Sequence, residues 1–82
     1  MTENEIFERV VKILTPYAKN QKALDEVSSK TSILDDLKVN SARLVDVVLA
    51  FEDDFDIEVA DEDVDAVNLV GDAVRLIARK RG

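Results

Sequence analysis

The chain has 82 residues, 46% of them hydrophobic, and 18 acidic against 11 basic side chains give a net charge of −7, with neither cysteine nor histidine. That length holds one domain, 1–82, with a modest core and no room for a deep catalytic cleft. The missing residue types exclude disulfides, thiolate or imidazole metal sites and every Ser-His or Cys-His dyad.

The start, Met1 to Glu5, is polar and acidic, unlike a signal peptide. No apolar run is long enough to cross a bilayer. A cytoplasmic monomer without membrane insertion is expected. Thr2 with Glu5 has the form of a capping box and opens a helix predicted over residues 3–18. Its apolar residues Ile6, Phe7, Val10, Val11, Ile13, Leu14 and Tyr17 recur at spacings of three and four. Pro16 weakens or ends its last turn. Residues 19–40 read as a long polar connection. Within it, Ile33-Leu34-Asp35-Asp36-Leu37 offers apolar members that can pin the loop to a core. A loop this long needs a purpose in a small domain, and returning the chain along the first helix is one.

A second helix is predicted from Ser41 to Phe55, with Asn40 or Ser41 as N-cap. At about 100° per residue, Leu44, Val47, Val48, Phe51 and Phe55 share one side and suffice to face a core. Ala42, Val45 and Leu49 fall on another side, beside Asp46, Glu52 and Asp53. That second stripe reads equally as ordinary surface or as a docking face with apolar anchors and an acidic rim. Asp61 then caps a short helix over 61–66. Asn68 opens a last helix over 69–80, which buries Val70, Ala73, Val74 and Ile77 and ends with Arg75, Arg79, Lys80 and Arg81, where positive charge suits the dipole. Strand-type alternation is absent. The expected fold is all-α: a small four-helix bundle with a long first loop and a short third helix.

Charge is uneven along the chain. From Asp35 to Asp65 there are 12 acidic residues and two basic ones, Lys38 and Arg43. An acidic middle repels phosphates and excludes nucleic acid as a partner. It favours proteins with basic patches, although a solvated face is the commoner role of such a run. Asp54-Phe55-Asp56-Ile57-Glu58 raises a calcium loop. An EF-hand started there needs glycine sixth and glutamate twelfth, where this chain has Val59 and Asp65. No metal site is expected.

The segment Val39 to Val59 resembles the centre of an acyl carrier protein. In that family an Asp-Ser-Leu motif opens the second helix, an acidic and aliphatic helix follows, and an aliphatic-acidic loop succeeds it. Glu52-Asp53-Asp54-Phe55 and Ile57-Glu58-Val59 fit that pattern. So do Leu34-Asp35-Asp36-Leu37 before the serine, Asp61-Glu62-Asp63 at the third helix and Val70-Gly71-Asp72-Ala73-Val74 in the last. The resemblance implies a carrier of acyl groups with no catalytic residue of its own. It implies that Ser41 holds a 4′-phosphopantetheine arm, installed from coenzyme A by a phosphopantetheinyl transferase. Acyl groups are then held as thioesters and presented to fatty-acid, lipid or polyketide enzymes. It places Val45, Asp46, Leu49 and Glu52 against partner enzymes and Leu44, Val48 and Phe51 around an acyl cavity, unless these three are plain core. Four residues depart from the family pattern: Lys38 for a frequent glycine, Asn40 for the aspartate, Ala42 for the leucine and Arg43 for an acidic residue. Asn40, Ala42 and Arg43 would meet the transferase, and their departure suggests a specialised carrier. Two other readings stay open: a peptidyl or aminoacyl carrier, and an unmodified helical adaptor on the same fold.

Overall fold

Thr2 begins the first helix as the spacing predicts. Its Oγ1 accepts from Glu5 N–H at 3.2 Å, and Glu5 Oε1 accepts from Thr2 N–H at 3.0 Å. These bonds satisfy orphan donors of the first turn and hold the Glu5 carboxyl below its usual range. In the computed structural model, which describes residues 1–81, this helix is α1 (Glu3–Leu14). It is shorter than the predicted 3–18. Pro16 has no N–H to return to the helix. The chain instead turns tightly, with Tyr17 and Ala18 N–H both donating to Leu14 O.

Residues 19–40 are not a plain loop. Asn20 caps a five-residue helix, α2 (Gln21–Asp25), by accepting from Ala23 N–H at 3.2 Å. The rest of the connection is stitched into the molecule at both ends. Lys19 N–H donates to Leu37 O, Ile33 N–H to Asn68 O, Val70 N–H to Thr31 O and Gly71 N–H to Ser29 O. An isolated bridge between Ser32 and Leu69 belongs to this seam. Ile33, Leu37 and Val39 are buried, so the loop is pinned as its apolar residues predict. Gly71 is required here, because a Cβ would come within 2.8 Å of Ser29 O.

The remaining helices are α3 (Leu44–Phe55), α4 (Asp61–Asp65) and α5 (Val70–Arg81), with a 3-10 turn over Ser41–Arg43 leading into α3. The fold is all-α, and the four predicted helices are joined by α2. Two caps differ from expectation. Ala60, not Asp61, is the N-cap of α4, and Asp63 reaches back to accept from Ala60 N–H at 3.3 Å. At α5 the cap is made by Asp72, not Asn68: its Oδ2 accepts from Asn68 and Leu69 N–H at 3.1 and 2.9 Å. The Leu69 bond, followed by the Asn68 bond and Arg75, holds the Asp72 carboxyl below its usual range.

The core lies between α1, α3 and α5. It joins Ile6, Val10 and Leu14 to Val47, Val48, Phe51 and Phe55 and to Val70, Ala73, Val74 and Ile77. Each large side chain so buried contributes about 1.5–3 kcal/mol relative to exposure. Neither α2 nor α4 has a fully buried residue. Gly82, the last residue of the expected 1–82 domain, lies outside the described residues.

Candidate functional site

The segment before Ser41 is fixed from behind. Val39 is buried and donates from its N–H to Ile33 O at 3.2 Å. Lys38 before it has φ 60°, in the left-handed region. Asn40 then caps the 3-10 turn: its Oδ1 accepts from Ala42 N–H at 2.9 Å, and its carbonyl accepts from Arg43 N–H at 2.8 Å. Of the two expected caps, Asn40 takes the role. Ser41 is exposed, and its hydroxyl makes no hydrogen bond among the described residues.

Beyond Ser41 the two faces of α3 separate as the spacing predicts. Val47, Val48, Phe51 and Phe55 turn inward. Val45 and Leu49 are 59% and 53% exposed, the large apolar side chains that α3 turns outward. Ala42 and Arg43 are exposed beside Ser41. Arg43 pairs with Asp46 Oδ2 at 3.2 Å. Glu52 does not project freely, because its Oε2 accepts from Val59 N–H at 3.0 Å and ties the following loop to α3.

That loop and α4 form one wall of a cleft of about 290 Å³ whose other wall is α3. Val45, Val48 and Leu49 line it from α3, and Val59 and Val64 face them. Of the three residues expected around an acyl chain, Val48 reaches this cleft. Leu44 packs against the edge of the core, and Phe51 lies inside the core at 2% exposure. The sequence places Val59 in the aliphatic-acidic loop but assigns neither Val59 nor Val64 to a cavity. Their signal was present: they are apolar residues spaced within an otherwise acidic stretch. Asp61 and Asp65 edge the same cleft.

Asp63 is the tether of the cleft's outer wall. It pairs with Lys80 Nζ at 3.1 Å and Arg79 at 3.4 Å, joining α4 to the end of α5. The Lys80 hydrogen bond first, then the Ala60 N–H, holds its carboxyl below the usual range. Asp54 pairs with Arg9 at 2.9 Å, and Asp56 ends α3 in the left-handed conformation at φ 55°. Among the described residues no three acidic side chains gather to hold a metal ion. None of the described helices is long and apolar enough to cross a membrane.

The fold defines the class first. The structure superposes on the solved acyl carrier protein from Enterococcus faecalis with a TM-score of 0.79 and 34% identity, covering 98% of this chain and 99% of that one. No family model matches the chain. Curated relatives do. An acyl carrier protein from Caulobacter vibrioides is 39% identical over 77 residues, 94% of this chain and 96% of its own length. One from Prochlorococcus marinus is 35% identical over 82 residues and the whole of both chains. The chain belongs to the acyl carrier protein family, and its role is that of a carrier rather than an enzyme.

Proposed function

We propose that Ser41 is the attachment point of 4′-phosphopantetheine and that the chain, as one carrier domain, presents acyl thioesters to enzymes of fatty-acid, lipid or polyketide assembly. The observation that carries this reading is the division of labour at the head of α3. Asn40 does the capping, so Ser41 keeps an exposed hydroxyl with no internal partner. In the attachment step, Ser41 Oγ bonds to the pantetheine-side phosphorus of the coenzyme A pyrophosphate. Its proton passes to a base of the transferase, and the nucleotide half of coenzyme A leaves. The resulting phosphodiester sits where a helix start tolerates negative charge.

The group supplies a thiol that this cysteine-free chain lacks, and the thiol holds acyl groups as thioesters. The residues present fit such a cargo. The cleft between α3 and α4 is lined by Val45, Val48, Leu49, Val59 and Val64 together with the carboxylates Glu52, Asp61 and Asp65, and its volume is at the lower end of small-molecule pockets, about 300–1,000 Å³. Asn40, Ala42 and Arg43 surround the serine and would be read by the phosphopantetheinyl transferase. Val45, Asp46 and Leu49 would dock synthases and acyl-transfer enzymes. Glu52 has a second duty in the α3–α4 loop and contributes to docking chiefly by holding that loop. The reading places the protein in the cytoplasm as a monomer.

Intact-mass measurement tests this directly. The protein is incubated with coenzyme A, a divalent cation and each of several phosphopantetheinyl transferases. The wild type should gain one phosphopantetheine increment and Ser41→Ala none. An unmodified wild type with every transferase would favour the helical adaptor instead.

A further inference from the structure

Helix α4 lies between two open spaces. On its α3 side is the cleft of about 290 Å³, where Val64 of α4 and Val59 before it face Val45, Val48 and Leu49. On its other side a second groove of about 310 Å³ separates it from α5, with Ala66 and Val67 on one bank and Leu76 and Arg79 on the other. Asp63 borders that second groove, and its carboxylate reaches across to Arg79 and Lys80.

Little else fixes the middle of this helix. It has five residues, and none is fully buried. The loop before it is drawn to α3 by the bond from Val59 N–H to Glu52, and the chain after it is anchored by Val67 at 4% exposure. Between those points α4 is pulled two ways. Toward α3 the pull is apolar, because valines facing a solvent-open cleft gain by closing it. Toward α5 the pull is ionic. A single exposed ion pair holds weakly. Asp63, however, gathers two cations onto one carboxylate that is only 19% exposed.

We infer that Arg79 and Lys80 are positioning residues that hold the α3–α4 cleft open for an acyl chain. Neither lines the cleft. They act through Asp63, drawing α4 toward α5 and against closure over the valines. The cargo is the one proposed above, so the inference rests on that reading. A cleft held open receives the chain without first parting two apolar walls, a cost otherwise subtracted from cargo binding.

Two variants test this. Arg79→Met with Lys80→Met removes both cations and leaves the bond from Ala60 N–H to Asp63 in place. Asp63→Asn removes the charge from the other side. In the unmodified protein, NOEs between the methyl groups of Val64 and those of Val45 and Leu49 report the width of the cleft. Both variants should strengthen these NOEs and leave methyl NOEs within the core of α1 and α5 unchanged. Lys80→Arg, which keeps the charge, should retain the wild-type pattern. In protein carrying an octanoyl thioester, acylation should raise the melting midpoint of the wild type. That rise should be lost in Arg79→Met with Lys80→Met. Cross-cleft NOEs that match wild type or weaken in both variants would overturn the inference, and so would an undiminished rise. A wild type that takes no arm at Ser41 would contradict the attachment reading. The NOEs are measured without the arm and would still decide whether Arg79 and Lys80 hold α4 back.

Discussion

Lys38 holds a left-handed backbone at φ 60° three residues before Ser41. An L-residue is strained there, and glycine is not. Lys38→Gly should stabilise the protein by about 0.5–1 kcal/mol, the relief of strain exceeding the entropy glycine adds to the unfolded chain. Urea unfolding would register this as a higher midpoint at unchanged slope. An unchanged or lower midpoint would mean that the lysine side chain compensates for its backbone. The sequence flagged this position as a departure from glycine, and the dihedral supplies the physical reason for the family's preference. Other residues were less legible. Asn40 reads as a cap on sight, but Asp63 and Asp72 look like ordinary first-turn acids. Each instead reaches back to satisfy N–H donors at its own helix start, which depends on the path of the preceding loop.

Among elements, α1, α3 and α5 were readable because twelve residues carry several repeats of an apolar pattern. Helix α2 has five residues and buries none of them, so it leaves no such pattern. Helices that short do not stand alone in water. It forms because Asn20 caps it and also donates from Nδ2 to Asp36 O, clamping it to the pinned loop. The two faces of α3 make opposite predictions. Phe51→Ala should cost about 3–5 kcal/mol, from lost burial and the cavity left behind. Against the usual total of about 5–15 kcal/mol for a domain, that is severe. Leu49→Ala, on the exposed face, should stay within about 0.5 kcal/mol of wild type. Thermal or denaturant melts separate the two, and equal losses would contradict the assignment of faces.

Helix α4 has too few buried contacts to be held by packing alone, and Asp63 ties it to α5. The folded state depresses the Asp63 carboxyl. Its contribution is therefore complete above the ordinary aspartate range near pH 4 and is lost as pH falls through the lower, folded value. Asp63→Asn should lower the melting midpoint at neutral pH. The gap from wild type should close on acidification below about pH 4. A gap that persists in strong acid would assign the effect to the Ala60 cap rather than to the pair with Lys80 and Arg79.

Across the whole molecule, the acidic middle of the chain was legible as a count but not as a surface. Several of its carboxylates are spent on internal bonds, Asp46 on Arg43, Glu52 on Val59 N–H and Asp54 on Arg9. That redistribution needs α1 and α5 in place, because Arg9, Arg79 and Lys80 arrive from distant parts of the chain. No local sequence window contains it. The same is true of the cleft, which exists once Glu52 has drawn Val59 against α3.

The account turns on Ser41 as a tether, and the most direct measurement is tandem mass spectrometry of the protein purified from its own cells. The account predicts a peptide spanning Ser41 that carries phosphopantetheine and releases it on fragmentation, with no other residue modified in this way. Recovery of that peptide wholly unmodified from cells that express a phosphopantetheinyl transferase, or the arm on a different hydroxyl, would contradict it.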